Sequence, residues 1–136
     1  MMWGYMTHVE SYFPASYFEK YGSIFGSIWV ATAYKGAQGE LATVTRLHER
    51  VANHVSWARV MRDQYTRAVV RFEGVALTGW SRYDHFLTLC ELLPQAVPSL
   101  VSGLQVLKIG GQLDEDAQTE IYKKLECAEV ETKFSL

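Results

Sequence analysis

Arg71-Phe72-Glu73-Gly74-Val75-Ala76-Leu77-Thr78-Gly79-Trp80-Ser81-Arg82-Tyr83-Asp84-His85 reads as a strand that ends in a burst of aromatic and charged groups. Val69, Val70, Phe72, Val75 and Leu77 supply the β-branched and aromatic residues that favour extension. Thr78 and Gly79 predict the break, because glycine allows the positive φ that a sharp exit often needs. Trp80, Arg82, Tyr83, Asp84 and His85 follow at once. An apolar strand ending this way reads as a barrel strand delivering side chains to a ligand-binding rim. Capping a core is the plainer role for Trp80 and Tyr83, and the charged residues between and after them favour a site.

Upstream, Thr43–Asp63 has the spacing of a helix. Val44, Leu47, Val51, Val55, Ala58 and Met61 recur at three- and four-residue steps, with Arg46, Glu49, Arg50, Asn53 and Arg59 on the other side. Before it, Ile24–Tyr34 is a nearly unbroken apolar run, as expected of a strand covered on both faces, with Trp29 in mid-strand and in the core. Strand, amphipathic helix, strand is the signature of a parallel sheet, so the class is α/β. Glu10–Gly22 predicts a loop and a short helix capped by Ser16. Met1–Thr7 reads as a strand in which Trp3 and Tyr5, alternating about Gly4, point to one side. A strand placed at the very start is the expectation for a piece of a longer protein.

Downstream, Phe86–Leu93 predicts a helical turn or two ended by Pro94. Pro98 suits a first helical turn, and Ser99–Ile109 puts Leu100, Val101, Leu104 and Leu107 on one face. Gly110 reads as a left-handed cap. Asp114 predicts the cap of a last helix with Ala117, Ile121, Leu125 and Ala128 inward and Lys123 and Lys124 near its end. Glu129–Leu136 has no pattern.

A chain of 136 residues, about half of them apolar, has material for one core. The net charge of −2, with basic residues interleaved among acids, gives no case for nucleic acid. No apolar run has the length of a membrane span, and the start lacks the basic region and apolar stretch of a signal peptide. Cys90 and Cys127 fit reduced thiols, and His8, His48, His54 and His85 are too dispersed for a metal site.

Three runs carry a resemblance: Ile28–Ala37, Leu77–His85 and Cys90–Pro94. They resemble glycoside hydrolase family 20, the β-N-acetylhexosaminidases, and the likeness extends from about Trp3 to Cys127. It implies the C-terminal portion of a (β/α)8 TIM barrel plus a terminal helix. Met2–Met6, Phe25–Ala33 and Val69–Leu77 would be strands six, seven and eight, and Ser99–Ile109 part of the closing helix. The implied division is a barrel segment over 1–112, a helix beyond it over 113–129 and a tail over 130–136. The first part of the barrel is then the missing partner. The resemblance also implies a cytoplasmic, and also nuclear, protein that needs no cofactor.

In that family the substrate's own acetamido oxygen attacks the anomeric carbon, an exception to the usual two-carboxylate scheme. A Glu protonates the leaving oxygen and the Asp before it orients the acetamido group. This pair has no counterpart here: Asp114-Glu115 follows no strand and reads as a helix cap. The resemblance therefore implies no catalytic residue in this chain, only a wall of the pocket for N-acetylhexosamine-containing glycans. Trp80, Trp3 and Tyr5 would stack on the sugar, while Arg82, Tyr83 and Asp84 line the rim. A local ion pair is the alternative for Arg82 and Asp84. Glu91 reads as structural; Lys35, following the seventh strand, either faces the pocket or, as the commoner outcome, is an exposed loop residue. Two functions stay open: part of a hydrolase of terminal N-acetylhexosamine, or a non-catalytic protein keeping a partial sugar wall or an interaction surface.

Overall fold

The computed structural model describes residues 1–66, 70–111 and 116. Three strands, β1 (Met2–Trp3), β2 (Ser27–Lys35) and β3 (Arg71–Gly79), form one parallel sheet in the order β1-β2-β3. A 3-10 turn (Val9–Ser11) and helix α1 (Ala15–Ile24) join β1 to β2, and helix α2 (Leu47–Thr66) joins β2 to β3. Helix α3 (Leu93–Ile109) follows β3. Parallel neighbours require such crossovers, because a tight turn only reverses the chain. Among the described residues no helix is long and apolar enough to cross a membrane.

Alternation along β2 sorts the two faces of the sheet. Ile28 and Val30 enter a buried cluster with Met2, Val9, Phe18, Trp57, Val60 and Val70, so α1 and α2 share one core on one face. On the opposite face the Trp29 ring lies over Gly74, where an added Cβ would come within 2.5 Å of it. Trp29 is 47% exposed there in this chain, on the face that the helices leave free. Mid-strand position fixes which face a side chain takes, and not whether that face is covered.

Helix α2 starts later than its sequence pattern predicts, and its polar stripe is split: Arg50 and Asn53 are buried, Glu49 is half-buried, and Arg46 and Arg59 are exposed. Arg50, Asn53, His54 and Ser56 are inside, whereas Val44 lies before the helix and is exposed. The sheet lies against one side of the helix and Val51 and Val55 meet Val101 and Val106 of α3 on another, so most of its girth is covered. Two side chains of this helix donate to the backbone after β1. Asn53 Nδ2 donates to the Gly4 and Met6 carbonyls at 3.0 and 2.7 Å, and Trp57 Nε1 donates to Gly4 at 2.8 Å.

Other boundaries shift for local reasons. Pro14, not Ser16, stands at the α1 N-cap, and Ile24 ends that helix instead of opening β2. Residues 86–92 are not helical: α3 begins at Leu93, with Pro94 in its first turn and Pro98 one turn further in. Gly110 takes the left-handed conformation (φ 69°) expected of a cap. Gly79 stays in β3 and does not take positive φ; the Tyr34 ring occupies the place of its missing side chain. The inward face of α3 is Ala96, Ser99, Ser102, Gly103 and Val106, and Leu104 is exposed. Small residues win that face because His54 approaches so closely that a Cβ on Gly103 would come within 2.8 Å of its ring. Apart from residue 116, the terminal helix over 113–129 and the tail over 130–136 lie outside the described residues.

His54 is fully buried, with Nδ1 2.6 Å from the Arg50 carbonyl and Nε2 3.0 Å from Thr32 Oγ1. A carbonyl only accepts, so Nδ1 carries the proton and Nε2 accepts from the threonine. Burial pushes the ring pKa below its usual 6.5; the carbonyl opposes this and the Arg50 charge adds to it. The unfolded chain then binds the extra proton first as pH falls. Stability from this site is complete above about pH 6.5 and is lost as pH drops toward the folded pKa, by at most about 1.4 kcal/mol per pH unit. Urea midpoints between pH 7 and 5 should fall for the parent chain and flatten in His54→Gln; parallel curves would exclude this origin.

Candidate functional site

Because the three strands are parallel, their C-terminal ends lie along one edge of the sheet, where α/β proteins gather ligand-binding groups. Trp3 ends β1, Lys35 ends β2, and Trp80 directly follows the last residue of β3. Trp3, Tyr5 and Trp80 converge there. The Trp3 and Trp80 ring centroids are 5.9 Å apart, and Tyr5 lies 6.4 Å from Trp3 and 6.3 Å from Trp80. Trp80 Nε1 donates to the Tyr5 hydroxyl at 3.1 Å. The shared side expected for Trp3 and Tyr5 is present, although pairing in β1 stops at Trp3.

Trp3 is 48% and Trp80 43% exposed, so these rings form a surface and not a core. Beside them opens a cleft of about 290 Å³ lined by Tyr5, Gly36, Ala37, Trp80, Arg82 and Tyr83. Four of the six residues expected to touch a ligand thus share one cleft, and Trp3 stands against its Trp80 wall. Asp84 does something else. Its Oδ1 accepts the Phe86 and Leu87 backbone N–H groups at 2.7 and 3.1 Å, holding the turn. Arg82 donates to the His85 carbonyl at 3.2 Å, so both charged groups are tied to local backbone.

Under the indole, Gly36 (φ 77°) lets the two strand ends approach, and a Cβ there would collide with the Trp80 carbonyl. Gly36→Ala should therefore displace Trp80 and carry the strain of a left-handed alanine, roughly 1–3 kcal/mol. A Trp80 indole NMR signal that stays in place in this variant would contradict the packing.

A set of charged groups lies behind the cleft. Lys35, Arg50 and Glu91 are 3%, 3% and 1% exposed. Burial raises the Glu91 pKa, and Arg50, Lys35 and the Ala37 backbone, in that order, oppose the rise. Burial likewise lowers that of Arg50, with Glu49 the chief opposing charge. Glu49 in turn accepts from Gln38 at 2.8 Å and Arg46 at 3.0 Å. Lys35, for which an exposed loop is the commoner expectation and the pocket the alternative, ends β2 with its ammonium enclosed. Its signal was the position directly after an apolar strand. That signal does not distinguish a covered lysine from a solvated one. Glu91, set between Cys90 and two leucines, adopts φ 44°.

Among the described residues no three His, Cys, Asp or Glu side chains gather as a metal site would need. The pair Asp114-Glu115 lies outside the described residues.

No family model matches the chain. Two curated proteins are similar to it over nearly its whole length. It is 36% identical over 132 residues, 96% of the chain, to Hexosaminidase D of Homo sapiens. Against Hexosaminidase D of Bos taurus it is 35% identical over 132 residues, again 96% of the chain. The aligned stretch is 26% of the human protein and 37% of the bovine one, so the chain spans between about a quarter and somewhat over a third of these relatives. The resemblance read from Ile28–Ala37, Leu77–His85 and Cys90–Pro94 thus extends along almost the entire sequence.

Proposed function

We propose that this chain forms one wall of the sugar pocket of a β-N-acetylhexosaminidase-type glycosidase of family 20. In this reading β1, β2 and β3 correspond to strands six, seven and eight of a (β/α)8 barrel. The observation that carries it is the meeting of Trp3, Tyr5 and Trp80 at the C-terminal ends of parallel strands. A pyranose offers C–H faces that pack on such rings, and a partly exposed indole leaves its face free for them. The sheet supports the same reading. Sequential strand order with α1 and α2 sharing one face suits a sector of a barrel, whereas a doubly wound sheet reverses direction. The likeness to Hexosaminidase D over 96% of the chain supplies the substrate class.

The chemistry of the whole enzyme divides accordingly. The acetamido oxygen of the substrate is the nucleophile, and the Asp-Glu pair that orients it and protonates the leaving group comes from barrel strands outside this sequence. This chain holds the ring so that oxygen and anomeric carbon stay in line. Asp84 is turned to the backbone, and Glu91 sits below the cleft, buried. General acid catalysis contributes about 10²–10⁴-fold, so the chain alone is expected to bind and not to hydrolyse.

The test is titration with N-acetylglucosamine, N-acetylgalactosamine and glucose while the tryptophan indole N–H resonances are followed. The acetamido sugars should move the Trp80 and Trp3 signals and leave Trp57 in place. Binding without turnover of an aryl N-acetyl-β-glucosaminide fits the division of labour above. Indole signals indifferent to all three sugars would remove the sugar wall, and turnover abolished by a point change in this chain would place the acid here.

A further inference from the structure

We propose that Lys35 is a positioning residue. Its buried ammonium ties both ends of the 80–90 loop to the end of β2 and so sets where the Trp80 indole stands beside the cleft. The functional consequence rests on the sugar reading above; the clamp itself does not.

Three acceptors surround Lys35 Nζ: the Trp80 carbonyl at 2.5 Å, with Ser81 Oγ and the Cys90 carbonyl each at 3.5 Å. An ammonium has three donors, so all of them are directed into one loop. Two acceptors open that loop and the third closes it. Trp80 is held twice, because its N–H donates back to the Lys35 carbonyl at 3.3 Å. Fixing both the N–H and the C=O of a residue leaves its Cα–Cβ direction little freedom. The remaining stitches act at the far end: Cys90 N–H donates to Ser81 at 2.9 Å, and Glu91 N–H donates to Ala42 at 2.8 Å.

Filling space alone would not select a lysine here. Burying an ammonium is costly unless it is paired and hydrogen-bonded, and Met or Leu would fill the same volume without that penalty. Lys35 also lies close enough to Glu91 to favour its ionised form. Everything Lys35 Nζ donates to belongs to residues 80–90, and none of it to the core around Trp57, so its loss should loosen the loop and spare the fold.

The test uses the 136-residue chain with Lys35→Met, Lys35→Arg and Trp80→Ala, read by amide hydrogen exchange and by N-acetylglucosamine titration of the indole signals. Lys35→Met should raise exchange at Cys90 and Glu91 at least tenfold while Val30 is unchanged, and should weaken sugar binding at least tenfold; Lys35→Arg should recover most of both. Unchanged exchange at Cys90 and Glu91 would overturn the clamp, as would a rise spread equally to Val30 or an arginine variant that behaves like methionine. If Lys35→Met does not fold, Lys35→Gln carries the same comparison. The two readings fail separately: a loop that loosens in Lys35→Met while no variant alters sugar binding keeps the clamp and removes the sugar wall.

Discussion

Trp57→Ala should lower the stability of this chain by about 3–5 kcal/mol, the range for removing a large aromatic from a closed core. Trp57 is fully buried, with its ring centroid 5.7 Å from that of Phe13. A small domain has about 5–15 kcal/mol in all, so this one change removes a large share of it. Packing, and not the indole N–H, should dominate. The Gly4 carbonyl that accepts from Trp57 also accepts from Asn53 Nδ2 at 3.0 Å, so it keeps a partner when the indole goes. Trp57→Phe should then cost far less, about 1 kcal/mol for the hydrogen bond plus a small cavity. Urea unfolding of the three proteins separates the contributions; a loss below about 1 kcal/mol in the alanine variant would mean that Trp57 does not close this core. Because Gly4 lies between Trp3 and Tyr5, the same variant should also blur the aromatic surface.

Trp80→Ala should do the reverse, abolishing most sugar binding while leaving the fold in place. The indole is 43% exposed, so truncation opens no sealed cavity, and its ring contacts with Trp3 and Tyr5 are worth about 0.5–1.5 kcal/mol each at most. Removing a central aromatic from a recognition surface commonly costs about 2 kcal/mol or more in binding, roughly thirtyfold in affinity. In a complete enzyme the loss should appear in catalytic efficiency as well, since the same ring aligns the acetamido oxygen. Melting temperature and N-acetylglucosamine affinity measured on one sample decide the matter. A large drop in melting temperature with normal affinity in the folded fraction would make Trp80 a core residue, and the site would have to be sought elsewhere.

The parallel α/β class, the three strands and the aromatic set at their ends were legible in the sequence, because each rests on local chemistry. A helix between successive strands supplies the crossover that parallel pairing needs, β-branched runs extend, and Gly110 adopts the positive φ that its cap requires. Trp3, Tyr5 and Trp80 could be brought together from sequence for the same reason: each stands at or just beyond the end of a strand, and parallel strands end on one side. What only the tertiary structure decided was coverage. A helical pattern records which residues share a face and not how many neighbours press on the others. Arg50 and Asn53 of the α2 polar stripe are therefore buried while Arg46 and Arg59 stay exposed, and the inward face of α3 is small instead of leucine-rich. By the same logic Lys35, charged and at a strand end, is enclosed by two carbonyls and a hydroxyl of a loop that begins 45 residues later. Burial of a charge depends on acceptors supplied from distant parts of the chain, and only the folded backbone brings them within reach.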